Sequence, residues 1–119
     1  MSLSHPLLAV RNLRKHFSKS KVFLRKSSGV FKAVDDVNFD IYAGTTLGLV
    51  GESGSGKTTI GKCVIRLMEP TGGEILFENS DISGLARNAL QEKRADMQMI
   101  LPIPCGLAKW ANDSRPNYC

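Results

Sequence analysis

Residues 51–58 read Gly-Glu-Ser-Gly-Ser-Gly-Lys-Thr, and the prediction of fold and site begins with them. It fits the phosphate-loop pattern Gly-x-x-x-x-Gly-Lys-Ser/Thr at every fixed position. The glycines let the backbone curl so that successive N–H groups point at phosphate oxygens, and a helix that begins near Gly56 adds unpaired amides. Lys57 supplies positive charge to the terminal phosphates, and the hydroxyl of Thr58 can bind Mg²⁺. The stretch therefore predicts a site for a nucleoside triphosphate.

The residues on either side of this loop predict a strand before it and a helix after it. Residues 46–50 are small or apolar throughout, apart from Thr46, as in a strand buried on both faces of a parallel sheet. After the loop, apolar side chains recur at the spacing that gives a helix one buried stripe. They are Ile60, Cys63, Val64, Leu67 and Met68. Proline and glycine in residues 69–73 are expected to end this helix.

Weaker patterns predict the remaining elements. A first strand is expected over residues 7–17, and residues 37–41 alternate between apolar and polar side chains, as in a strand with one buried face. Residues 74–77 predict a short strand. Ser83 is expected to cap a short helix that runs to about residue 93, and residues 97–101 resemble another strand.

The net charge of +5 is concentrated in one segment. Eight of the sixteen basic residues lie between Arg11 and Lys32, in a stretch without Asp or Glu. They are Arg11, Arg14, Lys15, Lys19, Lys21, Arg25, Lys26 and Lys32. Such a segment could attract phosphates, anionic lipid or nucleic acid, but it lacks the interleaved aromatic residues of a nucleic-acid platform. We interpret residues 18–29 within it as a solvated loop or insertion.

Length and composition limit the class of protein. The 119 residues amount to one domain at most, with the hydrophobic and charged fractions of an ordinary soluble protein. The three cysteines are odd in number and lack a Cys-x-x-Cys spacing, which argues against a disulfide framework or a zinc site. The start of the chain does not resemble a secretory signal, and no apolar run approaches the ~20 residues that span a bilayer. We therefore expect no direct membrane insertion.

Four segments of the chain carry a resemblance to a known family: residues 36–41, 44–59, 67–75 and 96–100. Together they closely resemble the ATP-binding subunits of ABC transporters, and most of all the oligopeptide and dipeptide importer branch. The resemblance implies an α/β fold of the P-loop NTPase class, an ABC-type nucleotide-binding domain. This domain would be incomplete, with an N-terminal β-rich part, the P-loop strand and the P-loop helix. Residues 1–101 would form it, and residues 102–119 would be an aberrant tail outside the family.

The resemblance also implies the ligands and the residues that bind them. ATP and Mg²⁺ are the expected cofactors, with Thr58 as the metal ligand. The expected nucleotide-binding residues are Phe17, Gly51, Glu52, Ser53, Gly54, Ser55, Gly56, Lys57, Thr58 and Thr59. Phe17 matches the aromatic side chain that stacks on adenine in this family, and an apolar ring suits that role. A core residue at the end of a strand is the alternative explanation for Phe17.

In the intact family, such a subunit pairs with a second ATP-binding subunit and with transmembrane permease subunits. The resemblance therefore implies a cytoplasmic protein that is peripheral to the inner membrane through the permease, with no nucleic acid as a partner. Peptides are the expected cargo, although related importers carry nickel and other solutes. Two other classes stay open on the residues alone: a small P-loop NTPase or kinase, and a non-catalytic nucleotide- or nucleic-acid-binding module.

The sequence departs from the family after residue 100. The family has Phe-Gln where this chain has Leu101-Pro102, and the Leu-Ser-Gly-Gly-Gln signature, the Walker B acidic strand end and the switch histidine do not follow. A reading frame shifted by one base would explain the change, because suitable codons for Leu101-Pro102 then encode Phe-Gln. A genuinely different short tail is the alternative. Since no catalytic carboxylate is present to orient the attacking water, we predict that this chain alone hydrolyses ATP no faster than its Lys57→Ala variant.

Overall fold

The computed structural model describes residues 4–18 and 29–100. Four strands and two helices follow one another along this part of the chain. They are β1 (Leu8–Ser18), β2 (Val30–Ile41), α1 (Lys57–Val64), β3 (Gly72–Phe77), β4 (Ser80–Asp81) and α2 (Arg87–Arg94). The strands form one sheet in the order β2-β1-β3-β4, and every neighbouring pair is antiparallel.

Strand β1 lies in the interior of this sheet and determines its register. It pairs with β2 from Leu8 opposite Ile41 to Ser18 opposite Val30, with irregularities between Val10 and His16. On its other edge it pairs with β3, where Val10 lies opposite Ile75. The predicted first strand is therefore confirmed. The strand predicted at residues 37–41 is confirmed as part of β2, which begins at residue 30. The short strand predicted at residues 74–77 lies within β3.

The core lies where helix α1 packs on the sheet. Its buried side chains are apolar and come from both strands and helix, as the hydrophobic effect requires. They are Leu8, Val10, Leu13, Val34, Ile60, Cys63, Ile75, Phe77 and Ile82. Burial raises the pKa of the Cys63 thiol, because a thiolate would lose its hydration there. The two α1 residues in this cluster, Ile60 and Cys63, belong to the apolar stripe predicted for the helix.

The strand predicted at residues 46–50 does not form. These residues have no regular secondary structure, and the side chains of Leu47, Leu49 and Val50 are 42%, 47% and 99% exposed. A strand needs a neighbour to accept and donate its main-chain hydrogen bonds, and a parallel strand is normally covered on both faces. Among the described residues, no strand pairs with this segment. Its apolar composition alone therefore does not make it a strand.

Helix α1 is shorter than the apolar stripe predicted. It ends at Val64, and Arg66 has a positive φ of 57°, so the chain turns away before residue 69. Val64 and Met68 still pack against the core, but Leu67 is 54% exposed. Leu67 was predicted to lie on the buried stripe, and this prediction was wrong because the helix ends at Val64.

The region after β3 differs from the sequence prediction in two further respects. Helix α2 begins at Arg87 after an N-cap at Ala86, so Ser83 does not cap it. Instead, the N–H and hydroxyl of Ser83 donate to Asp81 Oδ1 at 2.8 and 2.5 Å, and the hydroxyl is the main reason that the pKa of Asp81 is lowered. Residues 97–100 do not form the predicted strand, and Ile100 is exposed. Residue 101, the tail at 102–119 and residues 19–28 of the basic segment lie outside the described residues.

Candidate phosphate-binding site

The phosphate loop curls between the exposed segment at residues 46–50 and the start of helix α1. The N–H of Ser55 donates to the carbonyl of Glu52 at 3.1 Å, which closes a tight turn within the loop. Two glycines supply the left-handed conformations that the curl requires, with φ of 82° at Gly54 and 99° at Gly56. Gly56 is the N-cap of α1, so the loop passes directly into the helix.

The junction between loop and helix rests on the backbone of strand β2. A Cβ atom added to Gly56 would collide with the carbonyl oxygen of Ala33, and it would lie 3.9 Å from Val34 Cγ2. This approach fixes the beginning of α1 against the sheet. Ala33 is a contact that the sequence did not reveal, because a backbone carbonyl carries no residue-specific signal.

The side chain of Lys57 folds over the loop. Its ammonium donates to the carbonyl oxygens of Gly51 at 2.5 Å and Glu52 at 2.6 Å, and to Ser55 Oγ at 3.0 Å. These three acceptors use the three donors that a lysine ammonium has. Oxygen atoms of the loop therefore hold the Lys57 ammonium against the loop.

The first turn of α1 presents donors without an internal acceptor. Within the described ranges, no acceptor lies at hydrogen-bond distance from the N–H groups of Lys57, Thr58 or Thr59. The first turn has no acidic side chain, and the N-cap has no side chain that could accept. Amides and the positive end of the helix dipole thus both favour an anion here. Thr58 is exposed beside them, as are Gly51, Glu52, Ser53, Gly54 and Ser55.

Phe17 lies near the end of β1, directly opposite Phe31 of β2. The two rings are stacked, with centroids 6.5 Å apart and planes at 25°, and they are 38% and 55% exposed. The ammonium of Lys15 lies 5.0 Å from the centroid of the Phe17 ring. Phe17 is therefore partly exposed and lies outside the buried core cluster. Phe31 was not identified from the sequence.

Three of the four described basic residues in the charged segment are paired with acidic side chains further along the chain. Arg11 contacts Asp40 and Arg14 contacts Asp36, both at 2.7 Å, and Lys32 lies 3.8 Å from Asp35. Lys15 donates to the carbonyl of Glu69 at 2.7 Å. The sequence pattern missed this compensation because the acids are on the neighbouring strand β2. Arg11 and Arg14 thus link β1 to β2, whereas Lys19, Lys21, Arg25 and Lys26 lie outside the described residues.

Two arginines hold the far end of α1. Arg94 of α2 donates through Nε to the carbonyl of Ile65 at 3.2 Å, and through Nη2 to the carbonyl of Arg66. Arg66 in turn donates to the carbonyls of Ile82 at 2.8 Å and Ser83 at 2.7 Å. Cations at a helix C-terminus satisfy its open carbonyls and oppose its negative dipole end. The phosphate-loop helix is therefore fixed at both ends.

No group of three or more His, Cys, Asp or Glu side chains in residues 4–18 and 29–100 could hold a metal ion. In that same part of the chain, no helix is long and apolar enough to cross a bilayer.

The comparison with protein families gave one match. A family model described as ABC transporter covers residues 34–102, which include most of β2, the loop, both helices, β3 and β4. Among curated proteins, a peptide import ATP-binding protein of Brucella ovis is 46% identical over 99 residues, covering 83% of this chain and 29% of the relative. The oligopeptide transport ATP-binding protein OppF of Bacillus subtilis is 46% identical over 103 residues, covering 86% and 32%.

The comparison with solved structures agrees. The dimeric, post-hydrolysis state of an ATP-binding cassette bound to ADP and Pi superimposes with a TM-score of 0.62 at 26% identity, over 73% of this chain and 34% of that one. The predicted P-loop NTPase fold class is thereby confirmed. The chain spans only about a third of the length of the relatives that it matches.

Proposed function

Because the chain belongs to the ABC transporter family, we propose that residues 51–59 bind the phosphates of ATP with Mg²⁺. One observation carries the proposal: the amides of the first turn of α1 and the ammonium of Lys57 converge on the loop, and no acidic side chain of that turn opposes them. This is the donor set that a chain of phosphates requires. The residues present therefore fit the nucleotide.

Each residue of the site has a physical role in this proposal. The amides of Lys57, Thr58 and Thr59, which have no acceptor within the described residues, donate to phosphate oxygens. The Lys57 ammonium exchanges its loop carbonyl acceptors for the terminal phosphates, and the exposed hydroxyl of Thr58 is the ligand for Mg²⁺. The metal neutralises phosphate charge when it is bound. Phe17, exposed near the end of β1, offers its ring to the adenine base.

The role of the whole protein follows from the relatives' names and is also a proposal. Two of them are named for peptide or oligopeptide transport and ATP binding. We propose that this chain represents the energy-coupling subunit of a peptide importer, located at the cytoplasmic face of the membrane. It would act there with a second ATP-binding subunit and permease subunits.

The division of the chain at residue 101 is a separate proposal. Residues 1–101 are assigned to the ATP-binding domain and residues 102–119 to a tail of different origin. The family match, which ends at residue 102, supports this boundary. Sequencing the gene downstream of the codon for Asp96 tests it. A family sequence that continues in a frame shifted by one base is the expected result, and stop codons soon after the shift would contradict it.

The binding proposal is tested by substituting Lys57 with alanine and titrating the chain with Mg-ATP in a calorimeter. Loss of a charge-assisted contact is worth roughly 1.5–3 kcal/mol, so the affinity should fall about tenfold to a hundredfold. Lys62→Ala is the matched control, because it removes the same charge from the last turn of the same helix. Its affinity should stay within about twofold of the unsubstituted chain.

Two results would contradict the proposal. Equal losses of Mg-ATP affinity in the Lys57 and Lys62 variants would show that net charge, and not the loop, attracts the nucleotide. Binding of nucleic acid that weakens steeply with salt and is indifferent to Lys57→Ala would instead support an electrostatic binding module.

A further inference from the structure

The hairpin of β1 and β2 carries two exposed aromatic side chains, Phe17 and Phe31. Phe17 and Phe31 face each other across the strands, so their side chains project from the same face of the sheet. Their stacked rings are 38% and 55% exposed. Rings of this size are normally buried, and an exposed pair marks a surface that is available to an apolar partner.

The position of the pair relative to the loop indicates which partner it is. Phe31 lies two residues from Ala33, whose carbonyl oxygen abuts Gly56 at the start of α1. Two residues of extended strand span about 7 Å. A nucleotide whose phosphates lie on the first turn of α1 must place its ribose and base beyond the phosphates. The aromatic pair lies within reach of that base.

Local contacts also hold the pair in place and make its surroundings cationic. Lys15 lies over the Phe17 ring and is anchored by its bond to the carbonyl of Glu69, so this ring is fixed from one side. Lys32 follows Phe31 directly, and its side chain is 58% exposed. Apolar rings with positive charges beside them are suited to a group that has a flat base at one end and phosphates at the other.

We propose that Phe31 forms, together with Phe17, the aromatic surface on which the purine base of the nucleoside triphosphate packs. The inference rests on the proposed function of the loop and adds a residue from the second strand to it. Phe31 contacts only the base in this arrangement, so its contribution is confined to nucleotides and absent for inorganic polyphosphate. That difference separates a base-binding residue from one that merely supports the fold.

The experiment compares two probes, Mg-ATP and magnesium tripolyphosphate, on the 119-residue chain and four variants. Stacking of one base on an aromatic side chain corresponds to a fivefold to hundredfold change in affinity, approximately. Phe31→Ala should lower Mg-ATP affinity within this range and leave tripolyphosphate affinity within about twofold. Phe31→Leu keeps the apolar bulk and should lose a smaller part of the Mg-ATP affinity, whereas Phe31→Trp should retain it. Tyr42→Ala is the control, since Tyr42 is an exposed aromatic residue just beyond the other end of β2.

Each outcome decides between the alternatives. Mg-ATP affinity that is unchanged in both Phe31→Ala and Phe31→Leu would overturn the inference and leave the proposed function intact. Equal losses of ATP and tripolyphosphate affinity in Phe31→Leu, which preserves the packing, would assign a structural role to Phe31 and also overturn it. If the unsubstituted chain binds neither probe, the proposed function fails first, and the inference fails with it.

Discussion

The substitution Gly56→Ala tests whether contact with the sheet positions the phosphate loop. Gly56 has two features that alanine does not tolerate: a φ of 99° and a backbone carbonyl, that of Ala33, in the space that a Cβ would occupy. Gly54, in the same loop, has only the first feature. Its φ is 82°, and a Cβ added there meets no atom within 4 Å. Gly54→Ala is therefore a matched control for the backbone conformation.

The expected destabilisation follows from these two features. A left-handed conformation costs an L-residue roughly 1–2 kcal/mol, and this applies to both variants. Forcing an additional methyl group into a packed contact adds about 1–3 kcal/mol, and this applies to Gly56→Ala alone. We therefore expect losses of free energy of unfolding of about 1–2 kcal/mol for Gly54→Ala and about 2–5 kcal/mol for Gly56→Ala.

Urea unfolding followed by circular dichroism measures the difference. For a small domain, the free energy of unfolding falls by about 1–3 kcal/mol per molar urea. The midpoint of Gly56→Ala should therefore lie about 1 M below that of Gly54→Ala. The Mg-ATP affinity measured below both midpoints should also fall further in Gly56→Ala, because the start of α1 must move away from β2.

Equal unfolding midpoints for the two variants would contradict this prediction. They would mean that the Gly56 backbone and the Ala33 carbonyl separate at no cost, so the sheet would not position the loop. A midpoint of Gly54→Ala below that of Gly56→Ala would have the same consequence.

Two further predictions concern the ends and the interior of α1. Arg94→Ala leaves the carbonyls of Ile65 and Arg66 without their guanidinium donor, so the free energy of unfolding should fall by about 1–3 kcal/mol. Arg87 is exposed on the same helix, and Arg87→Ala should change this free energy little. Arg94→Lys should recover only part of the loss in urea unfolding, because lysine lacks the planar fork, and full recovery would show that charge alone acts. For Cys63, burial raises the pKa of the thiol above its value in the unfolded chain. The contribution of this group to the free energy of unfolding is therefore complete below about pH 8.5. It is lost as the pH rises through the pKa of the folded state. Cys63→Ala should remove that alkaline decline, and alkylation of Cys63 that is as fast in the native chain as in urea would contradict its burial.

The sequence predicts the phosphate loop well because the motif encodes local chemistry. Glycines, a lysine and a threonine at fixed spacing make a curled loop at a helix start, and the structure places them there. The strands β1 and β3 are predicted for a similar reason, since their apolar and β-branched residues suit a sheet. The length of β2 was not predictable from periodicity. Residues 30–36 are polar or exposed for the most part, and only pairing with β1 makes them a strand.

Other features escaped prediction because they depend on contacts between distant segments. Leu67 continues the helical spacing, but Arg66 adopts a positive φ and its guanidinium donates to Ile82 and Ser83, so the chain leaves the helix first. The acids that pair with Arg11 and Arg14 lie more than twenty residues away along the chain. A count of charges within one segment cannot detect such pairs, and the local excess of positive charge appeared larger than it is.

The failure of the predicted strand at residues 46–50 does not displace the site, and the structure explains why. The loop is conventionally expected to be held by the strand that precedes it. Here that segment is exposed, whereas Gly56 rests on Ala33, Ile60 and Cys63 are buried against the sheet, and Arg94 holds the carbonyl end of α1. The position of the first-turn amides of α1 is therefore determined by the antiparallel sheet beneath the helix. For this reason the loop at residues 51–58 forms although the predicted strand at residues 46–50 does not. The contact between Gly56 and Ala33 is therefore the one whose loss should affect the site most.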